Sequence, residues 1–128
     1  MSFAQRIEQI ASQAGLKVIT KNDDFVSCGF SLPGERSQTV HLAPAGDLAG
    51  QSVVRISTPV LELPAELPQN LANQLLTLNT QFKIGSFGVM EGGGKRLLMF
   101  SHNMILDALE PKEFAIVVAT LTQSGDQY

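Results

Sequence analysis

Cysteine is nearly absent from the chain: Cys28 is the only one, so no disulfide can form within it. A folded domain with one thiol fits a reducing compartment, and we expect the protein to be cytoplasmic. No apolar run approaches the ~20 residues that a membrane-spanning helix needs. The N-terminus carries Glu8 and several glutamines where an export signal would have an apolar segment. We therefore expect no association with a membrane.

Positive charge is also scarce. The chain has 9 Lys and Arg against 12 Asp and Glu, which gives a formal net charge of −3. Nucleic-acid binding needs a basic surface, so this composition argues against such a partner. Apolar residues make up 44% and charged residues 16%, as in a folded globular protein rather than a disordered one. One domain, spanning residues 1–128, is expected.

Charge is missing altogether between Leu67 and Phe82, a stretch whose apolar residues recur at helical spacing and predict a helix. Its second face carries Ala72, Leu76 and Asn79 among glutamines, asparagines and threonines. Depletion of charge is typical of the centre of an interface. We therefore predict a homodimer whose interface includes Ala72, Leu76 and Asn79. The alternative is a helix buried on two sides within one chain.

Helical or alternating patterns predict the other elements. A first helix, with a capping box at Ser2–Gln5, ends at Gly15, and a last helix begins at Pro111. Strands are predicted at Lys17–Thr20 (short), Phe25–Leu32, Ser37–Leu42, Val53–Val60, Ile84–Met90 and Leu97–His102. The fold class is α+β, an antiparallel sheet with three helices in the order α-β-β-β-α-β-β-α, or with four strands before the middle helix.

Two features of the strand region carry separate expectations. The segment Ala43–Gln51 is expected to be a wide loop, and Pro59 and Pro64 are expected to end strand pairing. Ser37–Leu42 has no inward charge to block pairing, so strand addition by a partner is expected to be possible there.

The last helix has two apolar faces. Phe114, Val118 and Leu121 share one of them and are expected in the core. Ile116 lies on the other, near Ala115 and Ala119. Exposed apolar surface marks interaction sites, so we predict that Ala115, Ile116 and Ala119 bind a protein partner.

The glycine run before Lys95 is not a phosphate-binding loop. Val89 stands where such a loop needs its first glycine, and Arg96 stands where it needs Ser or Thr. The run also joins two predicted strands, so no helix N-terminus follows to hold an anion. It is interpreted as a hairpin turn.

No residues are spaced as a metal or catalytic site. His41 and His102 have no Cys or carboxylate at ligand spacing. Cys28 alternates with apolar residues and is expected to be buried. We therefore predict a protein that is not an enzyme and has no cofactor and no metal. The alternative is a small ligand-binding domain or enzyme whose site is gathered from dispersed residues around His41, His102 or Cys28.

The block LLTLNTQFKIGSFGVMEGGGKRLLMF, Leu75 to Phe100, resembles the helix–Asn–strand–Gly-turn–strand block of the YbjN family. That family is grouped with class I type III secretion chaperones such as the Tir chaperone. Asn79 matches the family's "lN" and Gly85-Ser86-Phe87 its "G-x-F". Leu109–Phe114 resembles its entry into the final helix and Asp126–Tyr128 its ending.

This resemblance implies three helices on an antiparallel sheet, a homodimer, no cofactor and no catalysis. Such chaperones hold an extended segment of a partner protein, and YbjN proteins are described as regulators. We therefore expect a protein-binding module, chaperone-like or regulatory, whose partner is a protein.

Overall fold

The computed structural model describes residues 3–22, 25–32, 36–63 and 66–127. Within them the chain forms three α-helices, six strands and one 3-10 turn, in the order α1 (Phe3–Gln13), β1 (Lys17–Asn22), β2 (Phe25–Leu32), β3 (Arg36–Leu48), β4 (Gln51–Leu63), α2 (Gln69–Asn79), β5 (Ser86–Gly92), β6 (Lys95–Ile105), the turn (Leu106–Ala108) and α3 (Pro111–Gln127). The predicted α+β class is confirmed, with four strands before α2. None of the helices within these residues has the length and apolar character to cross a membrane.

The six strands form one antiparallel sheet in the order β1-β2-β3-β4-β6-β5. Side chains alternate between its two faces. One face supplies the core with residues such as Val40, Ile56 and Phe100, all fully buried, and α1 and α3 pack over it. α2 packs at the β5 end of the same face. The free edges of the sheet are therefore β1 and β5.

The first helix ends as predicted. Gly15 has φ +78°, the left-handed conformation that glycine adopts without steric cost. The N–H of Leu16 donates to the carbonyl of Ala11 at 2.8 Å, and that of Gly15 donates to the carbonyl of Ser12 at 3.1 Å. This pair of bonds is the Schellman motif. The predicted capping box begins at Ser2, which lies outside the described residues.

The expected wide loop at Ala43–Gln51 is wrong. β3 continues to Leu48 and β4 begins at Gln51, so only Ala49 and Gly50 connect them. Their φ values are +51° and +79°, and two successive positive φ values suit the tight turn of a two-residue hairpin. The hairpin makes β3 an interior strand, paired with both β2 and β4. Within Ser37–Leu42, His41 and Leu42 are paired on both sides, so the expected strand addition is wrong at these two residues. At residues 37–40, which pair with β2, it stays a prediction.

Proline does not end the pairing of β4. The strand passes Pro59 and stays paired with β6 as far as Leu63, and the register shifts between Pro59 and Leu61. Pro44 lies at a similar shift between β3 and β4. Bulges tolerate proline because the regular ladder hydrogen bonds are interrupted there. The expectation for Pro59 is wrong for this reason, and Pro64 lies outside the described residues.

The link from α2 to β5 runs against an aromatic cluster. The rings of Phe82, Phe87 and Phe100 meet edge to face, with centroids 4.9–5.7 Å apart. Gly85, in this link, has φ +87°. A Cβ added there would lie 2.5 Å from Phe100 Cε1 and 2.9 Å from Leu121 Cδ2. Only glycine satisfies both the backbone conformation and the packing.

We predict that Gly85→Ala lowers the free energy of unfolding by about 2–4 kcal/mol. The left-handed backbone costs an alanine about 1 kcal/mol or more, and the overpacked core adds about 1–3 kcal/mol. Urea denaturation measures the loss. Gly92→Ala is the matched control, because its added Cβ meets nothing within 4 Å. An equal effect of the two substitutions would contradict this account of Gly85.

Candidate functional site

An apolar groove of about 210 Å³ separates α2 from β5. Its lining combines one side of the helix with the outer strands: Leu67, Ala72, Leu75, Leu76, Asn79, Phe87, Gly88, Val89 and Leu98. All three residues of the predicted dimer interface, Ala72, Leu76 and Asn79, line this groove. The structure thus places them on one surface together with strand residues that the sequence analysis did not select.

The groove has a buried floor and exposed apolar rims. Leu75, Phe87 and Leu98 form the floor and belong to the core. Leu76 on the helix is 65% exposed, and Val89 on the strand is 41% exposed. The alternative of a helix buried on two sides within one chain is therefore wrong, because the second face of α2 meets solvent. Leucine and valine rims around an apolar hollow are the surface expected of a protein contact.

Asn79 joins the end of α2 to the edge of the sheet. Its Oδ1 accepts the backbone N–H of Phe87 at 2.7 Å, and its Nδ2 donates to the carbonyl of Phe87 at 3.2 Å. The Asn79 amide thus satisfies the backbone of a strand rather than that of its own helix. The polar atoms of Asn79 are therefore bonded to Phe87, and the residue still lines the groove.

The two hydrogen bonds between Asn79 and Phe87 also determine which part of the β5 edge remains open. Backbone groups of alternate residues in an antiparallel strand point to opposite sides. Those of Phe87 bond to Asn79, so they point away from β6. By the same alternation, the backbone groups of Val89 and Glu91 also point outward. The open edge of β5 thus begins beside the groove, at Val89.

The outer face of α3 is a second apolar surface. Phe114, Val118 and Leu121 are fully buried, as expected from their spacing. Ile116 is 50% exposed, Ala119 is exposed and Ala115 is half-buried. The binding of a partner at Ala115, Ile116 and Ala119 stays a prediction.

Cys28 and the two histidines do not come together. Cys28 lies in the core, where burial raises the pKa of its thiol to about 11. At neutral pH the thiol is therefore protonated and a poor nucleophile. His41 is the neighbour of Ser27 in the β2–β3 register, whereas Cys28 pairs with Val40. Because adjacent positions alternate, Cys28 and His41 lie on opposite faces of the sheet.

Each histidine is held by a local contact. Nδ1 of His41 lies 2.9 Å from Oγ of Ser27, and the ring stacks on Phe25. Nδ1 of His102 accepts the N–H of Gly85 at 3.2 Å. Burial lowers the pKa of both imidazoles, so both are mainly neutral at pH 7. Among the described residues, no three or more of His, Cys, Asp and Glu are grouped so that they could hold a metal ion.

The Ser27–His41 pair was not anticipated, because it depends on the register of two strands. A serine activated by histidine requires an accessible hydroxyl and a third group that orients the base. Ser27 is only 4% exposed, which leaves its hydroxyl little access to a substrate. The pair is therefore explained as a buried hydroxyl and a half-buried imidazole that satisfy each other.

Comparison with known proteins gives a structural match only. No protein-family model matches the sequence, and a search of curated proteins also finds no match. Among solved structures, the chain is similar to one in the crystal structure of the ExsC–ExsE complex, with a TM-score of 0.60 and 18% sequence identity. The match covers 98% of this chain and 92% of the other. At this identity the match shows a shared fold, and it does not extend to the YbjN family.

Proposed function

We propose that the protein is a non-catalytic binding module that acts as a homodimer and holds an extended apolar segment of another protein. The observation that carries the proposal is the shared fold, over nearly the whole chain, with a chain from a complex of two proteins. Its role would be chaperone-like or regulatory, as in the family that the sequence resembles. We place it in the cytoplasm, in keeping with its single buried thiol.

The groove between α2 and β5 supports the homodimer. A two-fold interface brings the same patch of both copies together, so each copy must offer both a projection and a hollow. Leu76 projects 65% exposed beside a groove that an apolar side chain can fill. The open β5 edge from Val89 onward adjoins the same groove. The proposed interface therefore consists of Ala72, Leu76 and Asn79 with the outer part of β5.

The outer face of α3 supports a separate contact with the partner. Ile116 and its alanine neighbours expose apolar surface on a different element from the groove. A segment lying on this face would bury Ile116 between the small side chains of Ala115 and Ala119. The partner is therefore proposed to present apolar side chains from an extended stretch.

An enzyme or small ligand-binding domain is the weaker alternative. It would need His41, His102 or Cys28 to act together, and the three lie on different parts of the sheet. The similarity to a chain from a protein–protein complex also favours binding over catalysis.

We predict that Leu76→Asp weakens the homodimer at least thirtyfold. A carboxylate buried without a partner costs about 2 kcal/mol or more, and each 1.4 kcal/mol is a factor of ten in the dissociation constant. Sedimentation equilibrium measures the affinity, and circular dichroism checks the fold. Leu48→Asp is the matched control, since Leu48 is 64% exposed at the distant β3–β4 hairpin. A monomeric wild-type protein at micromolar concentration, or an unchanged dimer in the Leu76 variant, would refute the interface.

We also predict that Ile116→Asp reduces the capture of a protein partner from the native cell, measured by affinity capture and mass spectrometry. The charge would have to be desolvated against apolar partner side chains. Leu48→Asp again serves as the control. Hydrogen exchange on the captured complex should show protection on Phe114–Leu121 or on a free strand edge. Protection restricted to a polar pocket would argue for the small-molecule alternative.

A further inference from the structure

A polar cleft of about 260 Å³ lies where the link from α2 enters β5. Its lining comes from this link and from β5 and β6: Lys83, Gly85, Ser86, Ser101, His102 and Asn103. It shares no residue with the apolar groove. The proposed function does not use this cleft.

Two hydroxyl groups face each other in the cleft. Ser86 and Ser101 are direct partners in the β5–β6 register, which places their Cβ atoms about 5 Å apart. Neither hydroxyl is hydrogen-bonded to another residue within the described ranges. Both are therefore available to donate to a ligand placed between them.

His102 borders the cleft from the other face of the sheet, because it pairs with the core residue Ile56 and alternates with Ser101 and Asn103. Its Nδ1 accepts the N–H of Gly85, so the neutral ring carries its proton on Nε2. The tautomer thus depends on the same glycine link that forms one wall of the cleft.

Asn103 and Lys83 complete the set. Oδ1 of Asn103 accepts Nε of Arg55 at 3.3 Å, which leaves the amide NH₂ as the free end of the side chain. The same contact holds a guanidinium beside the cleft. Lys83 is exposed and forms no ion pair with any carboxylate in the described part of the chain. No acidic side chain lines the cleft, although acidic residues outnumber basic ones in the protein.

We propose that this cleft binds a carboxylate, presented by an aspartate or glutamate of the bound protein segment. This inference rests on the proposed function for the source of the carboxylate. The side chains of Ser86, Ser101, Asn103 and Lys83 can each donate a hydrogen bond here, and the permanent positive charge belongs to Lys83, with Arg55 alongside. A single compact ammonium matches one negative charge. Recognition of a phosphoryl group generally uses arginine clusters or a helix N-terminus, and neither lines this cleft.

The test is a titration of the ¹⁵N-labelled full chain with N-acetyl-glutamate α-amide at constant ionic strength. We expect saturable shifts of the backbone amides of Gly85, Ser86 and Ser101. The neutral N-acetyl-glutamine α-amide should not produce them. Lys83→Gln should weaken the binding roughly two- to fivefold, the range that an exposed ion pair supports. Lys112→Gln, which removes the same charge from an exposed position on α3, should leave it unchanged.

Three results would overturn the inference. These are equal shifts with the neutral probe, unchanged binding in the Lys83 variant, and tighter binding of inorganic phosphate than of the carboxylate probe at this cleft. The probe requires neither a dimer nor a protein partner. A monomeric protein that binds the probe would therefore refute the dimer alone, and a dimer that ignores it would refute the carboxylate site alone.

Discussion

The close approach of Phe100 and Leu121 to the backbone at Gly85 is the contact on which the surfaces around β5 depend. The missing Cβ lets these two core side chains lie where any other residue would displace them. The positive φ of Gly85 at the same point turns the chain from α2 into β5. The position of β5 relative to α2, and hence the groove between them, follows from this one link. The polar cleft also follows from it, because Gly85 forms part of its wall and bonds to His102.

Two chemically different surfaces adjoin β5 as a result. The groove beside α2 is apolar and ends at an open stretch of strand edge. The cleft at the start of β5 is polar and combines hydroxyl and amide groups with the positive charge of Lys83. Asn79 lies between these two surfaces. It bonds to the backbone of Phe87, so the edge of β5 is open only from Val89 onward. An element with one apolar and one polar contact can both hold a partner and orient it.

Sequence reasoning worked where a pattern is local. The helical spacing in α1 and α3 predicted their buried faces, because a helix places residues three and four apart on the same side. The end of α1 at Gly15 was predicted for an equally local reason, because glycine readily adopts the positive φ that ends a helix. The reasoning failed at Ala43–Gln51 and at Pro59, where glycine and proline were interpreted as a loop and a strand end. Pro44 and Pro59 each lie at a β-bulge, where the strand tolerates proline. The position of a bulge depends on the register between two strands.

The amino-acid sequence by itself determined the α+β class, the helix faces and the uncharged side of α2 that carries Ala72, Leu76 and Asn79. These follow from periodicity and composition, which act over a few residues. Only the tertiary structure decided that β3 is interior, that Asn79 bonds to Phe87, and that Lys83 meets Ser101 and Asn103 in one cleft. The physical reason is that strand order and register bring together residues far apart in the chain. No local spacing encodes which residues those will be.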